Sequence, residues 1–424
     1  MAALPSVETR WLRGHRGAVN VVRFNKQGNY CITGGEDKTL KLWNPHRDAP
    51  EQAPAEGYEG HDGLLIKTYE GSHGYGVQDV TISHDNTRFA SCGKEKEVRA
   101  ARALRWETRG GWVGGWRMVC VVCACGVCEE MSVVRGRVAL RVVARGAVIH
   151  TLRSPHLFHA VLSTRSNLIL SRLALLTTPH TLIRRASSLA PPIPHSPHLQ
   201  AFMWDVATGK VVRKFYGHEQ RVNTVSFNFE STVLVTGSYD KTVRCWDCRT
   251  HTRAAIQIMD HFSDSVTSLV VPSSQTGRHE IWAGSVDGCV RCFDLRAGRV
   301  RTDVLVDPVT SIAVSGDGEC LLAMCLGGKL RLVEKGGGTL LNTYEGHTHE
   351  SFPLECTFSH TDEHVLGASE DGAVVCWDLV EGKVVHRIEA HSRPVSSLAY
   401  HPSETMLLTA SYDGLVKVWT GVPG

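Results

Sequence analysis

A short pattern recurs along the chain at near-constant internal spacing, and no other feature restricts the fold as tightly. Gly14-His15 is followed by Asp37 and then by Trp43-Asn44. Gly217-His218, Asp240 and Trp246-Asp247 repeat it. So do Gly346-His347, Asp371 and Trp377-Asp378, and Ala390-His391, Asp413 and Trp419. His to Asp spans 22 residues in three of these four copies and 24 in the one at His347, while Asp to Trp spans 6 in all four. Weaker copies lie between them. His261, Asp287 and Phe293-Asp294 keep the spacing of 6, and Gly327 to Val333 holds the same place with Asp and Trp both lost. Self-similarity at such a period marks an array of one supersecondary unit.

Each copy contains short alternating runs, such as Val19-Asn20-Val21-Val22-Arg23-Phe24 and Thr39-Leu40-Lys41-Leu42-Trp43, bounded by Gly and Asp turns. Period-two runs of this kind are half-buried antiparallel strands. One small sheet cannot bury both faces, whereas sheets stacked around an axis can. The copies resemble the WD-repeat family over nearly all the chain outside one insertion. The resemblance implies an all-β fold, a seven-bladed β-propeller. In that family the turn Asp accepts a hydrogen bond from the His. The His meets a Ser or Thr four residues before the Asp, and that hydroxyl takes the Trp indole N–H. Three full structural sets are thereby implied: His15/Thr33/Asp37/Trp43, His218/Thr236/Asp240/Trp246 and His391/Thr409/Asp413/Trp419.

A hydroxyl, a His and an Asp also invite a catalytic-triad reading. Repetition opposes it, because a network that holds a fold recurs in every unit and a catalytic site does not. No phosphate loop, Gly-x-Ser-x-Gly or His-Glu-x-x-His occurs. The chain is expected to be no enzyme and to need no cofactor or metal.

The second blade is interrupted. Glu95 stands 22 residues after His73, where the Asp belongs, and Ala101 stands where the Trp belongs. The next Trp-Asp is Trp204-Asp205. With residues 98–200 removed, Cys92-Gly93-Lys94-Glu95-Lys96-Glu97-Ala201-Phe202-Met203-Trp204-Asp205 aligns without a gap on Gly34 to Asn44. The chain therefore divides into residues 1–97 (a closing strand, blade one and the first part of blade two), an insertion at 98–200, and residues 201–424 (the rest of blade two and blades three to seven).

The 103 inserted residues hold 14 Arg, no Lys and the acids Glu107, Glu129 and Glu130, a formal charge of +11 that leaves the rest at −8. A basic nucleic-acid arm and a metal cluster at Cys120, Cys123, Cys125 and Cys128 are alternatives. Translated intron fits better. Val98 requires a codon beginning GT, Gln200 is compatible with CAG, and Leu189 to Leu199 permits a pyrimidine-rich tract. The segment is expected to be disordered. A smaller extra loop lies at about Asp48 to Gly63. Because the seventh blade ends after its third strand, Glu8 to Leu12 is expected to supply its fourth and close the ring.

Net charge is only +3, which calls for neither nucleic acid nor an anionic membrane. The start, MAALPSVETR, lacks a signal peptide's basic and apolar regions, and no run of ~18 apolar residues exists. Reduced thiols and a cytoplasmic and nuclear location are expected. Cys245/Cys248 and Cys289/Cys292 match C-x-x-C, but residues three apart on a strand face opposite ways.

Asp37-Lys38-Thr39-Leu40-Lys41-Leu42-Trp43-Asn44-Pro45, Trp204 to Phe215, Arg244 to Arg249, Ala283 to Gly288 and Trp377 to Gly382 narrow the resemblance. They are similar to the mitogen-activated protein kinase organizer family of WD-repeat scaffolds, also associated with spliceosomes. That resemblance implies a monomeric propeller within larger complexes, with kinase-cascade and spliceosome proteins as partners. Trp246-Asp247-Cys248-Arg249 and Phe293-Asp294-Leu295-Arg296 offer a rival. They are similar to the W/F-D-x-R motifs of cullin-RING substrate receptors, where Arg249 and Arg296 would meet the adaptor. Residues just before the turn Asp, namely Glu36, Tyr239, Glu370 and Tyr412, with Arg221 nearby, are the expected docking surface, since hot spots favour Tyr and Arg.

Overall fold

The computed structural model describes residues 4–48, 61–93, 199–252, 254–272 and 279–421, together with four backbone strands inside the insertion. Among the described residues every regular element is a β-strand. Seven four-stranded antiparallel blades follow one another. Blade one runs from Val19–Phe24 outward to His61–Tyr69, and blade two from Val77–Ile82 to Val211–Tyr216. Blade three runs from Val222–Phe227 to Gln257–Met259, blade four from Val266–Val270 to Arg299–Val304, and blade five from Val309–Val314 to Leu340–Tyr344. Blade six runs from Cys356–Phe358 to Val384–Glu389, and blade seven from Val395–Tyr400 to Val7–Leu12.

The apolar residues of each blade are buried against the next. Val21, Ile32 and Leu40 of blade one pack with Val77, Phe89 and Phe202 of blade two. Leu12, Val416 and Val418 of blade seven pack with Val19, Val22 and Trp43 of blade one. Polar girdles reinforce the inner strands. The residue after the first buried position donates to the next blade's backbone: Asn20 Nδ2 to Val77 O (2.7 Å), Asn223 Nδ2 to Val266 O (2.7 Å), Thr267 Oγ1 to Val309 O (2.8 Å) and Ser396 Oγ to Val19 O (2.6 Å). A V-N, V-T or V-S dipeptide on the inner strands of blades one, three, four and seven thus has a physical reason, because its polar side chain ties the strand to a carbonyl of the next blade.

The closing strand lies where the sequence expectation put it. Val7–Leu12 pairs antiparallel with Val416–Thr420, matching Trp11 with Lys417 and Leu12 with Val416. It also makes a short parallel pairing, Arg10 with His61 and Trp11 with Asp62, so blades seven and one share one eight-stranded sheet. Gly63 permits this seam, since a Cβ there would stand 2.3 Å from Leu12 Cδ2. Residues 49–60 of the extra loop lie outside the described residues.

Blade two keeps its register across the insertion. Phe202 pairs with Ser91 and Trp204 with Phe89, as Lys41 pairs with Thr33 and Trp43 with Cys31 in blade one. The chain separates into one compact unit of Met1–Lys96 with Ser196–Gly424 and a second of Glu97–His195. In the second, Val119–Val122, Val127–Val134, Arg137–Ala144 and Ala147–Thr151 form an antiparallel sheet of their own. Val-rich runs are joined by the two-residue connections Arg135-Gly136 and Arg145-Gly146. The rest of the insertion lies outside the described residues, as do the side chains of its cysteines.

Candidate functional site

The three expected sets are assembled. His15 Nε2 meets Thr33 Oγ1 at 2.7 Å, its Nδ1 meets Asp37 Oδ2 at 2.9 Å, and Trp43 Nε1 donates to Thr33 Oγ1 at 2.9 Å. In blade three His218 bonds Thr236 (2.7 Å) and Asp240 (2.8 Å), with Trp246 on Thr236 at 2.9 Å. In blade seven His391 bonds Thr409 and Asp413 at 2.8 Å each, with Trp419 on Thr409 at 3.0 Å. Burial alone would raise the carboxyls of Asp37 and Asp240. The hydrogen bond and charge of the paired His, with backbone N–H donors, hold both well below the usual carboxylate range. Thr33, Thr236 and Thr409 are 0% exposed and each hydroxyl is shared between an imidazole and an indole. No substrate reaches such a hydroxyl, so these are fold-holding networks and not triads.

The sequence reading missed one set and several replacements. Ser91 takes His73 Nε2 at 2.7 Å and Trp204 Nε1 at 2.9 Å, across the insertion. Counting four residues back from Glu95 would have found it; Glu95 itself lies outside the described residues. In blade four Asp287 is held by Arg291 at 2.8 Å, and in blade six Asp371 is held by Arg387. Gly367 occupies the hydroxyl position of blade six. A Cβ there would approach Trp377 Cζ3 to 3.1 Å, and Trp377 Nε1 turns instead to Glu345 O at 2.9 Å. The Asp287-to-Arg291 spacing of four was the available signal.

The inner strands surround a cavity of about 1040 Å³. Arg23 sits in it as a bridge. Its Nη1 and Nη2 each lie 2.7 Å from a Glu355 oxygen, and Nη2 lies 3.2 Å from Asp79. Ser397 Oγ donates to Glu355 at 2.6 Å, and Thr224 Oγ1 and Val225 N donate to Asp79 at 2.9 and 3.0 Å. Five of the seven blades are tied through one guanidinium and two carboxylates. Burial and the Glu355 charge raise the Asp79 carboxyl despite Arg23. Such a planar bidentate pairing is what Arg supplies and Lys does not.

At the mouth on the side of the turn aspartates, Arg221, Tyr239, Phe352 and Tyr412 line the cavity. The Arg221 guanidinium lies 4.8 Å from the Tyr239 ring centre, and the Phe352 and Tyr412 rings lie 5.3 Å apart. Tyr239 and Phe352 are 42% and 41% exposed. Glu36 stands beside this rim, 3.5 Å from Asn20 Nδ2. Glu370, one of the expected docking residues, also holds a loop. Its Oε1 accepts three successive backbone N–H groups, from Glu350 (2.7 Å), Ser351 (2.6 Å) and Phe352 (3.0 Å). A carboxylate so engaged shapes the loop that carries Phe352, its Oε1 already occupied as an acceptor. Phe352 was the rim residue that sequence reading overlooked, because it belongs to a loop between blades and not to a repeat position.

Arg249 and Arg296 sit on the turns after the third strands of blades three and four. The Arg249 side chain is 72% exposed, with Nε 3.3 Å from Asp247. Among the described residues, His46, His401 and Glu404 bring possible metal-ligand atoms together. His401 Nδ1 already accepts Ser403 N (3.2 Å) and Glu404 N (2.9 Å), which leaves Nε2 carrying the proton, and His46 Nε2 meets Gly28 O at 3.0 Å. A ligating His401 would have to give up that turn, so the cluster is built as structure. Burial pushes the thiols of Cys245 and Cys292 up to about 12 and that of Cys248 up to about 11, far from the thiolate that metal or redox chemistry needs.

Seven four-stranded blades, three of them holding a full His/Thr/Asp/Trp network, define the class, a WD-repeat β-propeller. The family model described as WD domain, G-beta repeat matches residues 6–44, 209–247, 338–378 and 382–420. Over 416 residues the chain is 35% identical to WD repeat domain-containing protein 83 of Rattus norvegicus, covering 98% of this chain and 92% of the relative. The protein of that name in Xenopus tropicalis is 36% identical over 418 residues, covering 99% and 93%. A homolog so described in Dictyostelium discoideum is 23% identical over 433 residues and covers 96% of each. The chain belongs to this family, the WD repeat domain-containing protein 83 group of WD-repeat proteins.

Proposed function

We propose that the protein is a non-catalytic scaffold. Its propeller gathers components of a mitogen-activated protein kinase cascade, of pre-mRNA splicing complexes, or of both, in cytoplasm and nucleus. One observation carries the choice of a binding role: exposed aromatic rings and an Arg ring the cavity mouth, while among the described residues the hydroxyl-His-Asp groupings are buried in the blades. Tyr and Arg are the residues that anchor protein interfaces. Purification of tagged protein from cells, followed by mass spectrometry, tests it. Kinase-cascade or spliceosome proteins should co-purify and be lost on joint Arg221→Ala, Tyr239→Ala and Tyr412→Ala substitution with folding retained. Recovery of neither class contradicts the reading.

A second reading, a substrate receptor of a cullin-RING ligase, is favoured by the exposure of Arg249 on a turn equivalent to that of Arg296 in the next blade. Retention of the ligase adaptor, abolished by Arg249→Ala with Arg296→Ala, is its expected result. An adaptor that never co-purifies removes it.

A further inference from the structure

The rim is electrically lopsided. On the blade-three side, the Arg221 cation lies over Tyr239. On the side of blades six, seven and one, the groups are aromatic and acidic: Phe352 against Tyr412, with Glu36 beside them and Glu355 below in the cavity. Burial pushes the Tyr412 hydroxyl up to about 12, and the neighbouring carboxylates of Glu36 and Glu355 add to that. Deeper in, one guanidinium answers two carboxylates, Asp79 and Glu355. Glu370 fixes the three amides that precede and include Phe352, so the ring is preorganised at the rim.

From this geometry we infer that the mouth accepts a basic side chain, an Arg or Lys of a partner polypeptide, against Phe352 and Tyr412 and toward the carboxylates of Glu36 and Glu355. Aromatic faces attract cations, and a site walled by protein strengthens the pull of the carboxylates. Arg221 on the opposite rim repels the cation and sets the orientation of the bound segment. An acidic or phosphorylated side chain meets the reverse: it would face two carboxylates that are already hydrogen-bonded and fixed. The inference rests on the scaffold reading above and specifies what that face recognises.

Fluorescein-labelled nonapeptide pools, random at eight positions with a central Arg, citrulline or Glu, probe it by anisotropy with the full chain. Combining a cation–aromatic contact with a partly screened ion pair predicts that the Arg pool binds roughly 5-fold tighter than the other two. That preference should shrink at about 0.3 M salt. It should vanish in Glu36→Gln and in Phe352→Ala, each with an unchanged melting midpoint, and survive in Arg249→Ala. Equal binding of the three pools, a preference for the Glu pool, or a preference that survives both rim variants overturns the inference. If the pools bind equally while the triple rim variant still loses its co-purifying proteins, this inference fails and the scaffold reading stands. If the Arg preference holds while co-purification is unaffected, the reverse is true.

Discussion

Thr236 shows how a single hydroxyl organises a blade. It accepts the Trp246 indole and meets His218, which in turn holds Asp240. Asp240→Ala or Trp246→Phe leaves a partner unpaired in a buried network, so each should cost ~1–3 kcal/mol and lower the melting midpoint. An unchanged midpoint with altered binding would contradict the structural role. The network also sets a pH dependence. Asp37 and Asp240 are held below the ordinary carboxyl range, so their stabilisation is full above the unfolded value of about 4 and drains as pH falls through the folded values. Burial lowers His218 despite Asp240, so protonating it below the ordinary value of about 6.5 opposes folding as well. The melting midpoint should therefore fall steadily from neutral pH toward pH ~3. Asp240→Asn should flatten the acidic limb of that curve; a midpoint independent of pH would rule out this linkage. The three full sets were legible because their members sit at fixed spacings. Ser91 was hidden by the insertion, and no spacing tells that three amides converge on the Glu370 carboxylate.

Blades are the elements whose integrity the sequence could forecast, since each strand alternates with period two. The closing strand Val7–Leu12 was legible from what blade seven lacked. Its parallel seam with His61 and Asp62 was not, because it depends on how closely Gly63 lets Leu12 approach. Two outcomes follow at this scale. Gly63→Val should force Leu12 from its buried place and lower stability by ~1–3 kcal/mol, in the range of overpacked core sites. Hydrogen exchange of Val416–Thr420 amides should quicken far more in a variant lacking residues 1–12 than exchange in Val309–Val314, because only the former loses its strand partner. Uniform exchange across the blades would mean that Val7–Leu12 does not close the ring.

The larger unit is a ring of pairwise packed blades, tied at the axis by Arg23 and between inner strands by the side chains of Asn20, Asn223, Thr267 and Ser396. Register in blade two is the same on both sides of the 103-residue insertion. Closing even a long loop costs only a few kcal/mol, because the penalty grows logarithmically with length. Removing residues 98–200 should therefore leave melting and partner binding intact, and long-read transcript sequencing should find the dominant mature message without those codons. A deletion that abolishes a partner interaction would instead make the segment a working arm. The binding face is the least legible part of the molecule from sequence, since Arg221, Tyr239, Phe352 and Tyr412 come from three blades and meet only when the ring closes. That face is also where the scaffold account stands or falls. Its most direct measurement is quantitative cross-linking mass spectrometry of the propeller in cell extract, with wild type compared against Arg221→Ala/Tyr239→Ala/Tyr412→Ala. The account predicts cross-links from kinase-cascade or splicing proteins concentrated on lysines beside the channel mouth, such as Lys38 and Lys241, and lost in the variant at an unchanged fold. Cross-links that cluster on the outer strands, or that persist undiminished in the variant, would contradict it.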